Sequence, residues 1–176
     1  MLATRHSQAA FLGVLWTACA WGQIDEYQVK AAFLYNFAKF VRWPERAFSS
    51  PTEPISICVF GRNPFGRTLE QTVAGKEFGG RAFLVRSIAD PQDACRCHIV
   101  FVSSSEKKRI AAILSAVQTS SVLTVGEFPG FAGQGGAVNF KLEDGAVHFE
   151  INLEAARLKE LDISSKLLSL ATVIKP

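Results

Sequence analysis

Ile55-Ser56-Ile57-Cys58-Val59-Phe60-Gly61 is a short apolar run rich in β-branched residues and closed by a glycine. That is the pattern of a strand buried on both faces, and the segments after it set it in a series. Pro64 to about Val73 reads as a helix with a proline in its first turn. Gly75 to Gly80 is turn-rich, Ala82 to Arg86 a second strand and Ile99 to Val102 a third. Ser104 or Ser105 stands where a cap is needed before a helix carrying Ala111, Ala112, Ile113, Leu114 and Val117. Ser121 to Val125 reads as a fourth strand. Strands alternating with helices predict a three-layer α/β fold: a mostly parallel open sheet flanked by helices on both faces.

Further along, the period changes. Val138, Phe140 and Leu142 alternate with Asn139 and Lys141; Val147, Phe149 and Ile151 alternate with His148 and Glu150. Asp144-Gly145 between them is a turn pair. This predicts a C-terminal antiparallel hairpin, one face greasy and one wet, added to the parallel sheet. Asn152 can cap a helix from Leu153 to Leu161. Asp162 to Ser165 breaks it, and Lys166 to Ile174 reads as a last short helix.

Upstream of Ile55, Ser49-Ser50-Pro51-Thr52-Glu53-Pro54 is a connection within one domain. Before it, Tyr27 to Trp43 sorts into two faces at about 100° per residue. Val29, Phe33, Leu34, Phe37, Phe40 and Val41 share one arc, and Tyr35, Asn36, Lys39 and Arg42 the other. Lys30 falls in the apolar arc, where its stem can pack and its head reach solvent. Trp43-Pro44 ends the helix. Arg5 and His6, then apolar Ala9 to Trp16, then Ala18-Cys19-Ala20, make a cleavable secretory signal over residues 1–20. The run is too short to span a bilayer, and bulky Trp16 argues against lipidation at Cys19. Residues 21–176 are then a single exported domain, large enough for its own core. The formal net charge is +3, and Arg5 leaves with the signal. So small an excess argues for neither nucleic acid nor an anionic membrane surface, and Lys107-Lys108-Arg109 reads as a solvated helix face.

The motifs that suggest chemistry fail on detail. Gly61-Arg62-Asn63-Pro64-Phe65-Gly66-Arg67-Thr68 has phosphate-loop spacing, but arginine replaces the lysine and Pro64 removes a backbone donor. Cys95-Arg96-Cys97-His98 has no second cluster to complete a tetrahedral metal site, and its cysteines are not spaced as a redox Cys-x-x-Cys. Ser103-Ser104-Ser105 lacks a nucleophile elbow. Gly133-Gln134-Gly135-Gly136 precedes a strand and reads as a loop. No acid/base pair or triad is signalled, so the expectation is a non-enzyme without metal or cofactor. Of the three cysteines beyond the signal, Cys58 lies in the first strand and Cys97 opens the third. Those strands are neighbours in common open α/β orders. An oxidising compartment then favours a Cys58–Cys97 bridge with Cys95 left as a thiol.

Three stretches together resemble the YfiR-like family of periplasmic proteins. They are Tyr27 to Phe40 with Trp43-Pro44; Ile57 to Gly61 and Pro64-Phe65-Gly66 with Cys97 to Phe101; and Phe149-Glu150-Ile151-Asn152 through Ala155-Ala156 to Leu161, then Ile163 to Ala171. The resemblance implies a periplasmic repressor that binds the periplasmic part of a membrane-anchored diguanylate cyclase, lowering cyclic di-GMP and biofilm formation. It carries no catalytic residues. It implies a bridge at positions matching Cys58 and Cys97. The second cysteine pair that some relatives have in the loop matching Gly130 to Ala137 is absent here. A small-molecule sensor, or a module of another signalling system, is the alternative. Such a regulator docks through exposed apolar side chains ringed by polar ones. The wet edge of the hairpin and the helix after it offer Leu153 flanked by Glu150, Asn152 and Arg157. The helix end near Tyr35 and Trp43 is the other candidate, and would alternatively serve a homodimer.

Overall fold

The computed structural model describes residues 21–175, with side chains from Glu26 onward; the expected signal over residues 1–20 lies outside them. The chain runs α1 (Trp21–Phe40), β1 (Val41–Arg42), β2 (Ile55–Phe60), α2 (Thr68–Val73), β3 (Glu77–Phe78), β4 (Arg81–Ile88) and β5 (Ile99–Val102). It continues with α3 (Ile110–Ala116), β6 (Leu123–Gly126), β7 (Val138–Glu143), β8 (Ala146–Asn152), α4 (Leu153–Leu158), β9 (Asp162–Ile163), α5 (Ser165–Leu168) and β10 (Thr172–Ile174). No described helix is long and apolar enough to cross a membrane.

Eight strands form one sheet in the order β10-β8-β7-β6-β5-β2-β4-β3. The pairs from β4 through β2, β5 and β6 to β7 are parallel, and β7–β8 is the antiparallel hairpin. The middle strands β2, β5 and β6 are buried at every residue. Alternation divides their side chains between two cores. Ile57, Val59, Ile99, Phe101, Leu123 and Val125 face one core, which takes Ala31, Leu34, Phe37 and Ala38 of α1 and Leu69 of α2. Cys58, Phe60, Val100 and Val102 face the other, with Ile110 and Ile113 of α3 and the aromatic pair Phe128 and Phe131. This is the predicted three-layer arrangement.

Several boundaries differ from expectation for local reasons. The second helix begins at Thr68, not Pro64, because Asn63 Oδ1 accepts from the Phe65 N–H (2.9 Å) and Gly66 takes a φ of 55°. Ser103, rather than Ser104 or Ser105, caps the segment before α3, its hydroxyl accepting from the Ser105 N–H. The turn-rich stretch contains β3, antiparallel to β4. α1 stops at Phe40, ahead of Trp43, because Val41–Arg42 pairs with Asp162–Ile163. The expected last helix over Lys166 to Ile174 is instead one turn, α5, followed by β10 on the outer edge of β8. The hairpin's outer edge is therefore covered at Glu150–Asn152.

The hairpin's two faces also mix. Asn139 is buried, accepting the Phe128 N–H and donating to Glu150. Leu142 is exposed, because β7 pairs with β6 only at Val138 and Asn139 and its outer half runs beyond the sheet. Lys30, expected to reach water, is buried instead. Its amine meets Glu26 at 2.5 Å and Glu127 at 2.9 Å.

Candidate partner-binding surface

The carboxyl ends of β2, β5 and β6 are where ligands collect in open α/β sheets, and here they are filled by protein. The Arg62 N–H already donates to Ser105 Oγ, and Ser105 with Glu106 packs over Gly61, whose φ is 92°. A Cβ at Gly61 would collide with Glu106. The phosphate-loop spacing thus marks a strand-to-turn junction facing a carboxylate. One strand along, the buried Glu127 carboxylate accepts from Tyr27, Lys30 and the Ser104 N–H. Burial first, then the charges of Glu127 and Glu26, push the Tyr27 hydroxyl far above its ordinary value.

Cys58 and Cys97 are bonded, with Cα atoms 6.1 Å apart; Cys95 is an exposed thiol. The bridge ties β2 to the start of β5 beneath α3. Beside it, His98 accepts the Ser56 N–H on Nδ1 and donates from Nε2 to the Ala47 carbonyl. That assigns a neutral ring, and burial lowers its pKa. His98 also stacks on Phe48 at 4.3 Å, so it anchors the segment between α1 and β2 rather than holding a metal.

Of the residues expected to meet a partner, the structure gathers Glu150, Asn152, Leu153 and Arg157 around the junction of β8 with α4. Asn152 is committed to the framework: it caps α4 through the Ala155 N–H and donates to the Ala132 carbonyl. Leu153 is half-buried against the main core, Glu150 is bonded to Asn139, and Arg157 is exposed. On α4 the large apolar side chain offered to solvent is Leu158, 76% exposed. The signal for it was legible: Leu158 is four residues from Glu154 and beside Arg157, an apolar residue on the polar side of a capped helix. Next to it a cleft of about 500 Å³ opens between α3, α4 and the Gly133–Gly135 loop, lined by Leu114, Gln118, Gln134, Glu154 and Leu158. Lys159 lies along its wall, donating to the Val117 carbonyl at the end of α3; burial lowers its pKa.

That loop owes its shape to Phe131, whose ring packs against both Gly126 and Gly136, where a Cβ would collide with it. Tyr35 and Trp43 lie far along the chain from this cleft and belong to different surroundings. Tyr35 packs edge-on to Phe83 at 5.2 Å with the Lys76 amine over its ring. Trp43 lines a separate cleft of about 410 Å³. Among the described residues no group of three or more His, Cys, Asp or Glu could hold a metal ion.

Comparison with known proteins bears on both fold and site. A family model described as YfiR/HmsC-like matches residues 27–172. Among solved structures, a conserved domain protein of Vibrio cholerae O1 biovar El Tor superposes with a TM-score of 0.59 at 12% identity. That alignment covers 85% of this chain and 60% of the other. An ABC domain from Streptococcus pneumoniae, solved in complex with L-Trp, gives 0.55 at 12% identity, covering 84% and 60%. The chain thus spans less than two thirds of either structure, and at this identity the likeness concerns the fold alone. No curated protein matches the chain.

Proposed function

Because the chain belongs to the YfiR/HmsC-like family across residues 27–172, we propose that it is a periplasmic regulatory binding protein. It would bind the periplasmic domain of an inner-membrane diguanylate cyclase and hold that enzyme inactive, lowering cyclic di-GMP and biofilm formation. The family match is the observation that carries this reading. The Cys58–Cys97 bridge supports an oxidising compartment. The docking surface we assign is the outer face of α4, with Leu158 as the apolar anchor, Arg157, Glu154 and Glu150 as its polar rim, and the adjoining cleft to receive a partner side chain.

Repression of this kind is a population shift. The regulator must bind the cyclase's inactive state more tightly than the active one by several kcal/mol, roughly 5 for a nearly complete switch. Deleting the gene is expected to raise cyclic di-GMP, and a copy lacking residues 1–20 is expected not to restore it. A Leu158→Glu variant, folded and exported, is expected to fail as well. Unchanged cyclic di-GMP in the deletion, with no cyclase in cross-linked complexes, overturns the reading.

A further inference from the structure

A net charge of +3 conceals where the charge is placed. Residues 61–67 follow β2 and residues 103–109 follow β5, and these strands are parallel neighbours with Phe60 beside Val102. Both loops therefore leave the same edge of the sheet. The Arg62 N–H reaches Ser105 Oγ at 3.0 Å, which joins them. Asn63, accepting from the Phe65 N–H and donating to the Gly66 carbonyl, holds the chain from Arg62 to Arg67 in a tight turn. Together the loops carry Arg62, Arg67, Lys107, Lys108 and Arg109 against one carboxylate, Glu106. That excess is larger than the whole chain's, so the remainder is slightly acidic.

Arg109 is committed to Glu106 at 2.9 Å and to the Ala89 carbonyl. Arg62, Arg67, Lys107 and Lys108 are exposed, and none of them forms an ion pair among the described residues. Of the carboxylates flanking the loops, Glu127 is buried with Lys30 and Asp90 accepts the Gln92 N–H. Glu70, on α2, is the exposed one that follows Arg67. None of the large apolar side chains exposed among the described residues lies in either loop. A protein partner is held through such anchors, and this rim offers none. It offers a clustered positive field, which suits a surface whose negative charge is spread out.

We propose that this edge of the sheet docks on an anionic phospholipid surface, with the four unpaired cations among the headgroups. Because β8 runs antiparallel to β7, α4 begins at the opposite end of the sheet. The α4 face stays open while the rim is engaged, and the inference stands whether or not the cyclase reading does.

The test is co-sedimentation of the exported, oxidised protein with vesicles of equal parts phosphatidylglycerol and phosphatidylcholine, beside vesicles of phosphatidylcholine alone. Binding to the first and not to the second is expected. Raising NaCl from about 0.1 M to about 1 M shortens the screening length from ~10 Å to ~3 Å and is expected to abolish it. Lys107→Gln with Lys108→Gln is expected to weaken partitioning about 25-fold, near fivefold per charge. Arg42→Gln with Lys166→Gln removes the same charge from outside the rim and is expected to change it by less than about twofold. Failure to bind the mixed vesicles at about 0.1 M NaCl, equal binding to both kinds of vesicle, or equal losses in the two double variants overturns the proposal. Binding to poly-glutamate in place of the vesicles also overturns it, and assigns the rim to an acidic protein.

Discussion

Lys30 shows what a helical wheel reports and what it leaves out. Its place on the apolar face of α1 was legible, but its partner Glu127 lies 97 residues away, where no local pattern reaches. Both side chains are at most 5% exposed, and a buried charge left alone is costly. Lys30→Met is therefore expected to cost about 3–5 kcal/mol in urea denaturation. Adding Glu127→Gln should recover part of it, because the amide oxygen can still accept from Tyr27 or from the Ser104 N–H. His98 gives a pH signature. Its folded pKa is lowered by burial, so the folded ring stays neutral while the unfolded chain gains a proton as pH falls through about 6.5. Stability is fully present above that pH and declines below it. The melting temperature is expected to fall between pH 7 and pH 5, and more gently in His98→Asn; equal slopes would remove His98 from the account.

Elements that advertised themselves were those with a period or a turn chemistry. Asp144 and Gly145 both take positive φ, 51° and 77°, as a two-residue hairpin turn requires, and Asn152 caps α4 as expected. Missed were β1, β3, β9 and β10, each two or three residues long and too short to show alternation. Thr172–Ile174 became a strand because β8 offered an open edge to pair with, a tertiary cause invisible in the run itself. The bridge joining β2 to the start of β5 closes 39 residues of chain. Removing it by Cys58→Ala with Cys97→Ala is expected to lower stability by ~2–4 kcal/mol, measured by thermal melting. Under oxidising conditions peptide mapping of the chain beyond residue 20 should find only Cys95 open to alkylation.

For the whole molecule, the three-layer plan could be read from strand–helix alternation, since burial on both sheet faces leaves continuous apolar strands. The docking surface proposed above is a reading of exposure and not of sequence pattern: α4 was expected to carry such a surface, yet Asn152 and Leu153 turn inward and Leu158 outward. The cleft beside Trp43 could not be read at all, because Trp43, Phe78 and Arg81 converge only when β1 and β3 are in place. That convergence of distant segments also governs how fast the fold can form. Helix α1 settles against Glu127, Phe140, Phe149 and, through β1, Ile163, all of which follow it by a hundred residues or so, as the Tyr27–Glu127 bond spans. Contacts this remote make a slow folder. A chain cut after Glu143 is expected to leave the α1 amides unprotected from hydrogen exchange. The full chain should protect them only in its final refolding phase, so a helix that leaves a ribosome or a translocation pore well ahead of its partners would be the last to find its seat.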